Sequence, residues 1–131
     1  MTIGLIGKKI GMTREFIDSG LSIPVTILSI EKGRIINVFT KERRGYDAIQ
    51  VGFGKIKTSK LKNQMKGFFA KKSTEPRKFL KEFRVNNISE YKEGNEIGLE
   101  LFKDEKFVDV KSRTIGKGFA GVMKRYNFSG L

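Results

Sequence analysis

A two-residue alternation of apolar with polar or small residues restricts the fold of this chain more than any other feature. Ile49, Val51 and Phe53 alternate with Ala48, Gln50 and Gly52, and Ile97, Leu99 and Leu101 alternate with Glu96, Gly98 and Glu100. Successive strand side chains point to opposite faces, so each run predicts a half-buried strand. The six apolar residues are expected to share one β core. Further strands are predicted over 3–10, 23–30, 34–40, 79–85 and 107–110. Turn signals separate them at Asp18-Ser19-Gly20, Glu31-Lys32-Gly33 and Glu93-Gly94-Asn95. Six or seven short strands suggest a small barrel or sandwich, and 131 residues suffice for one domain with a hydrophobic core.

Two stretches follow a helical period instead: Leu61, Met65, Phe68 and Phe69, and then Phe119, Val122, Met123 and Tyr126. In the first, Lys62 and Lys66 are four apart and fall on a different face from the apolar stripe. That helix can pack inward and turn cations outward. A plain solvated lysine face has the same pattern.

Charge narrows the function classes. There are 27 basic and 14 acidic residues, a net of +13, which calls for a polyanionic partner. The excess is uneven: residues 55–84 hold 11 basic and 2 acidic side chains, and residues 111–131 hold 5 basic and none acidic, whereas 85–110 are net acidic. Solubility alone would not require such blocks. The absence of cysteine and histidine removes disulfides, thiolate metal sites and the commonest general base. No apolar run approaches the roughly 18 residues of a membrane span, and no export signal is visible at the N-terminus. An anionic membrane face is disfavoured as partner because the two helical stripes are short and narrow. Asp104, Glu105 and Asp109 have no nucleophile or base pattern beside them and read as solvated charge.

Gly116-Lys117-Gly118-Phe119-Ala120-Gly121 fits G-x-G-x-x-G between a predicted strand and a predicted helix. A dinucleotide site also needs an acid about 20 residues further on, and no acidic residue follows Asp109. An RRM signature fails as well, because Gly121 and Lys124 stand where base-stacking aromatics belong. What survives is the physics common to both motifs. Glycines let a backbone approach closely, free N–H groups at a helix start attract phosphate, and Lys117 adds a cation. A tight strand-to-helix turn and a phosphate contact both stay open. A nucleotide-binding fragment using the 116–121 loop is the alternative from the enzyme class. Gly7-Lys8-Lys9-Ile10-Gly11-Met12-Thr13-Arg14 likewise reads either as an RNA-contacting strand edge or as an edge protected by lysines.

Residues 4–13, Gly4-Leu5-Ile6-Gly7-Lys8-Lys9-Ile10-Gly11-Met12-Thr13, and residues 116–128, from Gly116-Lys117-Gly118 to Tyr126-Asn127-Phe128, resemble the opening and middle signatures of the bacterial large-subunit ribosomal protein family conventionally numbered three. Ser22-Ile23-Pro24-Val25-Thr26, Gly45-Tyr46-Asp47-Ala48-Ile49-Gln50-Val51-Gly52 and Phe107-Val108-Asp109-Val110 fall between them in the family's order. The resemblance implies a six-stranded barrel of the translation-factor kind, a basic insertion and a role in early subunit assembly through rRNA near its 3' end. It also implies that family members continue past Arg125-Tyr126-Asn127-Phe128 into a long extension and final strands, which this sequence does not include. Tyr126 stands where relatives often carry tryptophan.

The resulting expectation is a mainly β, non-enzymatic protein. It comprises one rRNA-binding barrel domain over 1–131, an incomplete barrel if the final strands are needed to close it, with a short basic helical insertion at about 55–78 and a short C-terminal helix. RNA would be held by its backbone and shape through Lys8, Lys9 and Arg14, through Lys60, Lys62, Lys66, Lys71 and Lys72 in the insertion, and through Arg113, Lys117, Gly118, Lys124 and Arg125 near the end. No cofactor, metal or small-molecule substrate is expected. The expected partners are large-subunit rRNA and neighbouring large-subunit ribosomal proteins, in a cytoplasmic, ribosome-associated setting.

Overall fold

A computed structural model describes residues 3–130. The fold is mainly β, with six strands in two antiparallel sheets among the described residues. The first sheet is a hairpin of β1 (Gly7–Phe16) and β2 (Ser22–Ile30). The second contains β3 (Gly33–Phe39), β4 (Ala48–Lys55), β5 (Arg77–Arg84) and β6 (Glu96–Ile97) in the order β5-β4-β3-β6. Three short helices accompany them: α1 (Lys41–Arg44), α2 (Asn63–Lys71) and α3 (Val122–Tyr126).

The main core cluster lies on one face of the larger sheet, and Ile36, Ala48 and Phe69 are buried outside it. Ile35 pairs with Val51, Val38 with Ile49, and Gly33 with Ile97, so the register places these side chains together. Ile35, Ile49, Val51, Phe53, Val85 and Ile97 form the buried cluster, and Ile3, Leu5 and Ile6 from the N-terminal segment pack against it. Each such side chain contributes about 1.5–3 kcal/mol relative to exposure. A register shift between Ile35 and Asn37 marks a bulge at Ile36, which bends and twists β3 so that the sheet curls into a half-barrel.

In β4, Ile49, Val51 and Phe53 are buried as expected, but the strand is not half-buried, because Ala48 and Gly52 on the opposite face are buried as well. The second run does not continue as a strand. Glu96 and Ile97 pair with Arg34 and Gly33, after which the ladder ends because Lys32 and Glu31 already belong to the connection from β2. Without a partner strand, residues Leu99–Phe102 tighten into a 3-10 turn. Leu99 and Leu101 are exposed, contrary to the expectation that both enter the core.

The chain between β3 and β4 closes in one helical turn. Gly45 adopts φ 80° and its N–H donates to the Lys41 carbonyl, while Asp47 Oδ1 accepts from the Lys41 N–H at 2.7 Å. Glycine suits that left-handed position because it has no Cβ. The Gly45-Tyr46-Asp47 run thus has a structural task. Tyr46 adds a hydrogen bond from its hydroxyl to Glu82 on β5 at 2.7 Å.

The predicted 3–10 strand starts later and runs further, from Gly7 to Phe16, and turns back through Gly20 at φ 80°. Both faces of the hairpin carry apolar residues. Val25 and Ile23 sit opposite Thr13 and Glu15 on one face, and Met12 and Phe16 sit opposite Thr26 and Ser22 on the other. Met12, Phe16, Ile23, Ile27 and Leu28 are all exposed. The 107–110 stretch is not a strand; it is exposed and lacks regular structure, as is most of the chain from there to Gly121.

Candidate nucleic-acid interface

Around α2 the expected division of faces is present. Phe69 is buried, Leu61, Met65 and Phe68 are partly buried, and Lys60, Lys62, Lys66 and Lys71 are exposed. The Phe68 ring meets the Phe69 ring edge-on at 5.3 Å. On α2 itself the exposed cations are Lys66 and Lys71, while Lys60 and Lys62 lie in the segment that leads into it. Lys72, at the helix end, differs from its neighbours: its Nζ donates to Glu93 at 2.8 Å and the side chain is partly covered. It ties the helix to the turn before β6, so its charge is already partnered.

Lys8, Lys9 and Arg14 lie on β1 and are exposed. Lys8 and Lys9 are consecutive strand residues, so they project to opposite faces and cannot form a single flat patch. Arg113, Lys117, Gly118, Lys124 and Arg125 lie in the C-terminal segment and are also exposed. Gly118 adopts φ 70°, a conformation that favours glycine, and Arg125 lies over the Tyr126 ring at 5.3 Å. The sequence-predicted cations therefore sit on three different elements of the fold.

The expected anchoring of the C-terminal helix is not found. No strand precedes the glycine loop, and Phe119, Val122, Met123 and Tyr126 are exposed, Phe119 entirely so. The five residues of α3 make little more than one turn, and nothing among the described residues covers their apolar face. Gly121 is the N-cap and its carbonyl accepts from Arg125 N–H at 2.9 Å, so the turn into a helix itself is present.

Sequence reasoning missed a second group of cations on the sheet. Lys32, Arg34, Lys55 and Arg77 line a basin of about 540 Å³ at one end of β3, β4 and β5. Arg34 forms a cross-strand ion pair with Glu96 at 3.0 Å. Arg77 is 6% exposed, and its nearest acid is Glu75, 3.7 Å away and largely exposed. Glu31 completes the acidic rim. The overlooked signal was Gly52, a glycine in the middle of a strand, which commonly marks close approach of another group. A Cβ there would lie 2.7 Å from Arg77 Cγ.

Comparison with known proteins accords with the resemblance. Residues 82–131 match the family model described as Ribosomal protein L3. The chain is 64% identical over 129 residues to the large ribosomal subunit protein uL3 of Pelagibacter ubique, covering 98% of this chain and 55% of that protein. It is 44% identical over 129 residues to the same protein of a Hydrogenobaculum species, covering 98% and 56%. With that of Nitrosomonas eutropha it shares 46% identity over 132 residues, covering 98% and 61%. The chain thus spans a little over half the length of these relatives. With matches along nearly its whole length, the chain belongs to the uL3 family of ribosomal proteins.

Proposed function

We propose that this chain is the rRNA-binding part of a structural, non-enzymatic constituent of the large ribosomal subunit, working in the cytoplasm beside rRNA and neighbouring ribosomal proteins. The observation that carries the reading is α2 with the turn that leads into it, where Phe69 is buried while Lys60, Lys62, Lys66 and Lys71 are exposed. Cations arranged in this way neutralise backbone phosphates without reading bases. The exposed cations of β1 and of the C-terminal segment extend the same chemistry to Lys8, Lys9, Arg14, Arg113, Lys117, Lys124 and Arg125. Gly118 lets the backbone approach a phosphate closely. The same proposal includes contacts near the 3' end of the rRNA and a role in early assembly, as the family resemblance implies.

The half-barrel and hairpin are read as parts of one six-stranded barrel, with 55–78 as its basic insertion. Apolar side chains on both faces of the hairpin suit strands that are covered on both sides. The test is a filter-binding titration of large-subunit rRNA at increasing salt. With about six to ten phosphate contacts, affinity should fall by roughly three to five orders of magnitude between 50 and 200 mM salt. A nearly flat response would refute the proposal.

A further inference from the structure

We propose that the basin bounded by the β2–β3 turn, the end of β4 and the start of β5 is a phosphate-binding site, in which Arg77 and Arg34 grip one phosphodiester of an RNA backbone. The choice of RNA as the source of the phosphate rests on the function proposed above. The geometry stands on its own.

Arg77 is the central observation. Its guanidinium carries five N–H donors and a fixed charge, yet the residue is 6% exposed and its Nε has no hydrogen-bond partner. Glu75 at 3.7 Å is beyond hydrogen-bonding distance and is itself 62% exposed. A buried charge in a native protein normally has a close counter-charge, because leaving it unpaired is costly. Arg34 repeats the pattern: one nitrogen is held by Glu96, and its buried Nε is unpartnered.

The β4–β5 register supplies an independent observation. Lys55 lies directly across from Arg77. Like charges at directly opposed positions destabilise a strand pair unless an anion lies between them. Lys32 adds a fourth cation at the rim. Among the three carboxylates, Glu96 is engaged by Arg34, Glu75 is exposed enough to swing away, and Glu31 is exposed at the rim.

Phosphate suits this arrangement because a guanidinium fork binds it through two parallel N–H···O bonds, and two arginines line the basin. The volume of about 540 Å³ lies within the range of sites that hold small ligands, so a phosphate can enter with its attached sugar. Gly52 makes the site possible. Its missing side chain leaves the space in which the Arg77 stem lies against the sheet. Glu75 then acts as a weak internal competitor for the same guanidinium.

The test uses the full-length protein, large-subunit rRNA and inorganic phosphate as probes, and the nitrogen-edited NMR signal of the Arg77 Nε–H. Arg77→Met should weaken rRNA binding about tenfold or more at low salt, as for a lost charge-assisted hydrogen bond, and should reduce the salt slope by about one. Glu75→Gln should strengthen binding about two- to fivefold, the scale of an exposed ion pair. Inorganic phosphate should shift the Arg77 signal saturably, and chloride at equal ionic strength should not.

Unchanged affinity and slope for Arg77→Met would overturn the site while leaving the general RNA-binding reading intact. If Arg77→Met fails to fold, Glu75→Gln decides: unchanged affinity overturns the proposal. A wild-type protein that ignores rRNA but shows the saturable phosphate shift would overturn RNA as the source and support a free-phosphate site. Absence of that shift would overturn the site itself. Lys62→Ala/Lys66→Ala is the control, expected to lose rRNA affinity and keep the phosphate shift.

Discussion

Gly52 and Arg77 occupy one another's space: a Cβ on Gly52 would stand 2.7 Å from Arg77 Cγ and 2.9 Å from its Cβ. It would also meet Ile36 Cδ1 at 2.5 Å. Ile36 is fully buried and cannot move aside freely. Gly52→Ala should therefore destabilise the protein by about 1–3 kcal/mol through overpacking. Denaturant unfolding of the two proteins measures this, and equal midpoints would mean that the sheet yields around the new methyl group.

The corrected core makes a paired prediction. Ile97 is 7% exposed in the buried cluster, whereas Leu99 is 58% exposed just beyond it. Ile97→Ala should cost about 2–5 kcal/mol, and Leu99→Ala should fall within about 0.5 kcal/mol of the parent. Similar losses for both would restore a strand running through Leu101.

These two residues also show how far the sequence can be read. Period-two alternation identified β4 and its inward face because β4 has a full-length neighbour on each side for part of its course, so pattern and pairing agree. The same alternation around Leu99 misled, since a ladder also needs an opposing strand, and β3 has no residues left to offer. The inward side of α2 was legible because Leu61, Met65, Phe68 and Phe69 recur at helical spacing, which leaves Lys66 and Lys71 flanking that stripe. The Arg34 and Arg77 basin was not. Its residues lie 43 positions apart in sequence and are brought together only through the order β5-β4-β3; Gly52 signals that some group approaches the strand, but not which one.

Phe53 provides the clearest test of where the core lies. Its ring is 2% exposed, and it would collide with a Cβ placed on Gly33. Phe53→Ala should cost about 3–5 kcal/mol, with the upper end expected if the surrounding Val51 and Ile35 cannot collapse into the space. Thermal unfolding followed by near-ultraviolet signals would record the loss. A change below about 1 kcal/mol would place the core elsewhere.

The C-terminal segment separates fold from binding. Phe119 is fully exposed among the described residues, so Phe119→Ala should leave unfolding within about 0.5 kcal/mol of the parent. Lys117, two residues earlier and also exposed, should influence RNA alone. Lys117→Ala removes one cation beside the Gly118 backbone and should lower the salt slope of rRNA binding by about one without altering stability. The comparison should be made at low salt, where screening is weakest and an exposed charge acts over the longest distance. If Lys117→Ala binds like the parent there, the glycines serve the chain's turn into α3 and nothing more. If Phe119→Ala unfolds early, the ring has a covering partner in solution, and the 116–121 loop is held in place by packing.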